Sequence, residues 1–282
     1  MQKILSANIA RCRKEQGLTQ EQLAEKLGIT YQAVSKWETE QTMPDITLLP
    51  TLAHILNVSV DKLLGYDAAR YEVSPYEDKY KKEEYFWGLE PSTMCLKVLE
   101  LLPPSRPLKL IDIGCGEGKD AVFFARCGYE VSAFDISDAG IEKTKRLAEQ
   151  ARVPVRVFKA NLWDYRLDEK FDILYSSGVL AYIKPELRDE IMENYKSHVA
   201  CNGLAALHVF VNKPFIARAP EKEKHSWHWK SGELFTYFHD WLIEHCTEYV
   251  FDCNSSGAPH RHAANRLFAK NLNTADKYPA LR

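Results

Sequence analysis

Residues 108–118 read LKLIDIGCGEG. A short apolar run passes Asp112 and ends in glycines at alternate positions, Gly114, Gly116 and Gly118. Ala121, Val122, Phe124 and Ala125 then recur at helical spacing. A buried strand feeding a glycine-rich turn that opens a helix is the entry to a nucleotide-type site. Glycine suits that turn because a Cβ would hold a ligand off the backbone. Two ligands compete for it. A dinucleotide fingerprint counted from Gly114 needs glycine at 119, where lysine stands, but counted from Gly116 the pattern G-x-G-x-x-A fits with Ala121. Charge separates them. Asp112 and Glu117 flank the turn, where they repel a pyrophosphate and suit a ligand carrying an ammonium and a sulfonium. Asp135, at the end of the next strand-like run, is placed for a ribose diol and serves either ligand.

Histidines form a second concentration of reactive side chains. His225, His228, His239, His245, His260 and His262 lie close together with Arg261. His225-x-x-His228 with His260-x-His262 offers metal-ligand types. These are read as surface histidines, and no metal is assigned. Ser176, Ser177 and Gly178 follow a strand-like run, with Tyr182 beyond. The stretch there is SSGV, not N-P-P-Y/F, which argues against methylation of an adenine or glutamine amino group. No Pro-Cys pair offers a nucleophile for cytosine C5.

The elements that position these residues alternate. Strands are expected over 108–113, 130–135, 155–160, 171–175 and 204–211, with helices over 119–127, 139–152 and 185–199 between them. Such alternation builds a doubly wound α/β domain with a parallel sheet. A helical stretch over 232–243 and strands over 248–253 and 261–269 add an antiparallel hairpin. The result is a seven-stranded, mostly parallel sheet.

Residues 1–66 read differently, as five short helices over about 4–16, 20–27, 31–38, 48–56 and 60–64. Ile4, Ile9 and Ala10 are expected inward, with Arg11, Arg13 and Lys14 outward. Thr19 with Gln22 has capping-box spacing, and Thr30 precedes the third helix. Helix, glycine turn and helix make a helix-turn-helix. Between this unit and the α/β domain, residues 67–92 are aromatic, with Tyr71, Tyr76, Tyr80, Tyr85 and Trp87. A flexible linker is not built this way. The segment is a strap, or a lid that sets Tyr80, Tyr85 or Trp87 against a ligand. The domains expected are therefore 1–66, the connector 67–92, the α/β domain 93–272 and a tail 273–282.

The chain has 282 residues, 45% of them hydrophobic and 27% charged, and a net charge of −2. Bulk charge gives no support for nucleic-acid binding, and residues 1–66 carry seven basic and seven acidic side chains. No apolar run approaches a membrane span, and no secretory signal is present. Seven cysteines without C-x-x-C spacing fit reduced thiols, so a cytoplasmic setting without membrane contact is expected.

GLTQEQLAEKLGITYQAVSKWE followed by MPDITLLPTLAHILNVSVDKLLG resembles the DNA-binding domain of Cro/C1-type (XRE) repressors. The resemblance implies that the third helix lies in a major groove, with Tyr31, Gln32 and Ser35 at base edges. Gln20 and Lys36, with Arg11 and Arg13, would hold phosphates, and Ala33, Val34 and Trp37 would be core. A homodimer on a two-fold site is expected. DIGCGEG resembles motif I of class I S-adenosylmethionine-dependent methyltransferases. That resemblance implies that Asp112, Gly114, Cys115, Gly116 and Gly118 cradle the methionine part. Asp135 and Ile136 would serve the ribose, Asn161 and Leu162 the adenine, and Ser176 the reactive end. Over roughly residues 108–270 the sequence more closely resembles tellurite-resistance TehB-type enzymes, in DIGCGEGKDAVFFARCGYEVSAFDIS, ANLWDY, FDILYSSGVLAYI and WKSGELFTYFHDW. It implies methylation of a small oxyanion or metabolite, with His260 and Arg261 as candidate substrate contacts. The alternative is a transcriptional regulator whose methyltransferase-like domain senses a ligand without turnover.

Overall fold

A computed structural model describes residues 2–65, 74–217, 226–254 and 258–272. The chain divides into two compact units, residues 1–72 and 73–282.

The first unit holds α1 (Gln2–Glu15), α2 (Gln20–Leu27), α3 (Tyr31–Glu38), α4 (Leu49–Ile55) and α5 (Val60–Leu64), with a 3-10 turn at Ile46–Leu48. The capping box forms in both directions. Thr19 Oγ1 accepts from Gln22 N, and Gln22 Oε1 accepts from Thr19 N. Gly28 ends α2 at a φ of 67°. The buried stripe of α1 is Leu5, Ile9 and Cys12, at i, i+4 and i+7, while Ile4 is 42% exposed. The expectation that Ile4 faces inward is therefore corrected. So is the outward placement of Arg13, which is buried: its guanidinium donates twice to Glu38 and once to the Leu18 carbonyl. Leu23, Val34, Trp37, Leu52, Leu56 and Leu63 complete this core.

The second unit begins in the strap, where α6 (Glu77–Tyr80) lies, and continues with α7 (Thr93–Leu101). The alternating region follows as β1 (Lys109–Ile113), α8 (Lys119–Arg126), β2 (Glu130–Asp135), α9 (Asp138–Ala151), β3 (Val155–Lys159), β4 (Phe171–Ser177), α10 (Arg188–Ser197) and β5 (Val199–Val211). It closes with α11 (Glu233–Thr236), β6 (Leu242–Cys253) and β7 (His260–Lys270). The strands fall in the order β3-β2-β1-β4-β5-β7-β6. β7 runs antiparallel to both neighbours and the remaining pairs are parallel, as the sequence pattern predicts.

Central strands read as continuous apolar runs because both sheet faces are covered. Leu110, Ile173 and Leu204 enter a core with Met94 and Val98 of α7 and Phe124 of α8. Their neighbours Ile111, Leu174 and Ala205 enter the opposite core with Ile191 and Tyr195 of α10. The expected helix over 232–243 is corrected to the single turn of α11. Leu234, Phe238 and Trp241 are buried at helix-like spacing, but after Trp241 the chain pairs with β7 from Leu242 onward. β5 likewise begins at Val199, earlier than the pattern suggests. The expected tail, 273–282, lies outside the described residues.

Candidate functional sites

The glycine turn leaves the carboxyl end of β1 for α8, between β2 and β4. Gly114, Gly116 and Gly118 have φ of 71°, 56° and 86°, a region that penalises any Cβ. Their bare faces are already in use. A Cβ on Gly114 would lie 2.5 Å from the Val179 methyls, and one on Gly116 would lie 3.0 Å from Tyr80 Oη. At Gly118 it would collide with Thr144. The glycines are thus required by packing within the protein as well as by any approach of a ligand.

Three carboxylates surround the turn and do different things. Asp112 is 2% exposed, and its Oδ2 has no hydrogen-bond partner among the described residues. Burial, then the nearby charges of Asp120 and Asp135, push its carboxyl well above the usual range. Asp135 accepts from Gly116 N at 2.8 Å through Oδ2 and from Ser137 N at 2.9 Å through Oδ1. Burial raises its carboxyl, and those backbone donors oppose the rise. Glu117 was expected to face a ligand. Instead it is buried against the protein, where it accepts from Phe86 N, Trp87 N and Lys143 Nζ.

Glu117 therefore anchors the strap. Glu77 adds a second anchor, accepting from Ser137 Oγ and Ala139 N at the start of α9. Tyr80 is buried over Gly116 and accepts at Oη from the Trp87 indole at 2.9 Å. Trp87 is 43% exposed. Tyr85 lies in the strap, with a buried hydroxyl that has no partner among the described residues and with Lys143 Nζ 5.0 Å from its ring centre. Tyr71, also expected in the connector, lies outside the described residues. Of the strap aromatics, Tyr80 is the one set on the turn.

Cys115 is buried in the turn, and burial raises its thiol well above the usual range, so it packs as a small hydrophobe. Ile136 is half-buried beside Asp135. Asn161 follows β3 and accepts from Trp163 N, with Leu162 buried next to it. Ser176 is fully buried and donates to the Ile113 carbonyl, tying β4 to β1 at the turn.

The hairpin residues divide between faces. His260 and His262 share one face of β7, and Arg261 projects from the other, 3.7 Å from Asp252. The structure does not bring His260 and Arg261 together. His208, which the sequence reading passed over, lies on the central strand β5 beside Gly178. It is 7% exposed, with neither ring nitrogen partnered among the described residues. Burial, and after it the electrostatic influence of Arg266 and His262, lowers it to about 4. Strand alternation could have found it, because it is the one ionisable residue in an otherwise apolar run, LAALHVFV. His225 lies outside the described residues.

In the first unit, Tyr31, Gln32 and Lys36 are exposed on α3 and Ser35 is half-buried. Gln20 is committed differently, donating to Glu38 at 2.8 Å. Burial opposes ionisation of Glu38, but hydrogen bonds from Arg13 and Gln20 hold its carboxyl below the usual range. Val34 and Trp37 are core, as expected. No helix among the described residues is long and apolar enough to cross a membrane.

Known proteins resemble each unit. The family model described as "Helix-turn-helix" matches residues 9–63, and that described as "Tellurite resistance protein TehB" matches residues 79–265. The "Probable S-adenosyl-L-methionine-dependent methyltransferase TehB" of Haemophilus influenzae is 23% identical over 163 residues, covering 57% of this chain and 56% of the relative. The "Uncharacterized HTH-type transcriptional regulator YqaE" of Bacillus subtilis is 43% identical over 79 residues, covering 28% of this chain and 66% of the relative. The chain thus spans between about two fifths and two thirds of the length of the curated relatives it matches. The crystal structure of TehB from Haemophilus influenzae superposes with a TM-score of 0.58 at 18% identity, covering 70% of this chain and 65% of that one, which shows a shared fold. With two thirds of its length matched by one family model, the chain belongs to the TehB family of tellurite resistance proteins and carries an XRE-type helix-turn-helix at its N-terminal end.

Proposed function

We propose that the α/β unit is an S-adenosylmethionine-dependent methyltransferase for a small molecule and that the helical unit ties it to DNA as a transcriptional regulator. The observation that carries this is Asp112. A buried carboxylate oxygen without a partner, at the mouth of a glycine turn, favours a cationic group. S-adenosylmethionine carries an ammonium and a sulfonium, and it supplies the electrophilic methyl group. Asp112, Gly114, Cys115, Gly116 and Gly118 would hold the methionine part, with Asp135 and Ile136 at the ribose and Asn161 with Leu162 at the adenine. Ser176 fixes β4 against β1 and so sets the width of the site. Tyr80, backed by Trp87 and the Glu117 anchor, keeps water from the turn. Transfer then depends on alignment and desolvation more than on a dedicated base. On α3, Tyr31, Gln32 and Ser35 would read bases and Lys36 would hold a phosphate. A homodimer would place two such helices on a two-fold operator.

Calorimetric titration of the full chain with S-adenosylmethionine tests the reading. One site per chain is expected, and no binding would overturn it. Turnover against a panel of oxyanions and small metabolites then separates an enzyme from a sensor that binds without transfer.

A further inference from the structure

We infer that the turn end of the β6–β7 hairpin is a binding site for a zinc-class divalent metal, ligated by Cys253, His260 and His262. The three ligand atoms lie within 4.8 Å of one another. Register explains why. Cys253 is directly opposite His260, and His262 is two residues on, opposite Phe251, so all three project from the same sheet face. Tetrahedral zinc with bond lengths of about 2.0–2.1 Å to nitrogen and about 2.3 Å to sulfur places its ligand atoms about 3.4–3.6 Å apart. The His260 and His262 Nε2 atoms are 2.9 Å apart, so closure needs side-chain shifts below an ångström for that pair.

A second observation is independent of the spacing. His260 Nδ1 lies 2.8 Å from the Ala258 carbonyl oxygen. A carbonyl only accepts, so Nδ1 carries the proton and Nε2 of the neutral ring presents its lone pair toward His262. Ligand histidines are fixed in this way, with the remote nitrogen donating to a backbone carbonyl. The surroundings also suit a metal. The rings of Phe210 and Phe251 stand 5.0 and 5.6 Å from the His262 ring, a largely apolar shell that strengthens coordination to thiolate and imidazole. On binding, the Cys253 thiol loses its proton to solvent, and the His262 Nε2 proton shifts to Nδ1. The net change is one metal gained and one proton released. Three protein ligands leave a fourth position open, as sites that exchange a water or a small ligand do.

The site is separate from the glycine turn and does not depend on cofactor binding. The test uses the reduced, metal-free full chain titrated with cobalt(II), followed by zinc(II). One equivalent of cobalt is expected, with a thiolate-to-cobalt charge-transfer band and the intense visible bands of a tetrahedral site, both displaced by zinc. Cys253→Ser should abolish the charge-transfer band, and His260→Gln and His262→Gln should each weaken binding by at least about 10–100-fold, the loss that follows even from removing a ligand's hydrogen-bond partner. Cys201→Ser with Cys246→Ser, exposed cysteines of β5 and β6, should leave the spectrum unchanged. No saturable binding, a parent spectrum without the thiolate band, or a band lost in the Cys201/Cys246 variant instead would each overturn the proposal. The parent spectrum decides even if one variant fails to fold.

Discussion

Two places on the sheet's carboxyl edge, near the end of β1 and near the end of β5, each bury an ionisable side chain with ring or carboxylate atoms unpartnered among the described residues, and they do so with opposite charges at stake. At the glycine turn, burial and neighbouring acids push Asp112 up toward its neutral form. At the β5–β7 end, burial and neighbouring cations push His208 down toward its own neutral form. A cation arriving at the first end relieves its cost, while an uncharged or anionic group is better tolerated at the second. A metal ion can settle at that second end only where a thiolate offsets part of its charge. The same low-dielectric edge can therefore receive a cationic cofactor and a neutral or anionic acceptor side by side.

The largest expected effect concerns His208. Its folded value of about 4 lies below the ordinary value of 6.5, so the unfolded chain binds more protons between those values. Stability is therefore complete above about pH 6.5 and falls as pH drops toward 4, by about 3 kcal/mol in total. Urea unfolding across that range should show the loss in the parent and not in His208→Gln. An unchanged acid limb in the variant would break the comparison at this end.

At the other end, Asp112→Asn should weaken S-adenosylmethionine binding by about 2 kcal/mol, roughly 30-fold, the scale for removing one member of a buried charge pair. The raised carboxyl makes a sharper test. Asp112 is protonated more readily in the free protein and ionises against an arriving cation, so binding should release a proton wherever the free carboxyl is still protonated, above the ordinary carboxylate range. Calorimetry in buffers of different ionisation enthalpy measures this, and proton uptake by the parent would contradict the assignment. A smaller effect is expected at Tyr80→Phe, which deprives the partly exposed Trp87 indole of its acceptor and should cost about 1 kcal/mol of stability. The smallest is at Lys36→Ala. It should reduce the salt dependence of DNA affinity by about one counterion without changing sequence preference, as read by binding isotherms at several ionic strengths.

Much of this was legible in the sequence. The alternation of strands and helices and the closing hairpin follow from apolar runs broken by glycine turns, and Thr19 with Gln22 announces α2. The misreadings share a cause. Trp241 completes a helix-like spacing with Leu234 and Phe238, yet the backbone there pairs with β7, and no local pattern reveals a partner that lies nearly thirty residues on. Arg13 and Glu117 look solvent-facing or ligand-facing because charge alone is visible, whereas the groups that satisfy them come from Glu38 and from the strap. His208 stands out in the sequence as one ionisable letter in an apolar strand, but its lack of partners among the described residues does not. Its importance lies in what fails to touch it, which only coordinates show.

The bare faces of Gly114, Gly116 and Gly118, occupied by Val179, Tyr80 and Thr144, carry a consequence for inheritance. A descendant that had lost its cofactor would still be held to glycine at these positions, because any side chain would strike its own neighbours. The glycines therefore outlast the activity and make poor witnesses to it. Asp112 is under no such constraint from its neighbours, since nothing among the described residues bonds its Oδ2. Once a cation no longer came to the turn, an apolar residue of similar size would be the more stable occupant. Whether an acid persists at this one position is what would separate working members of such a lineage from those that keep only the shape.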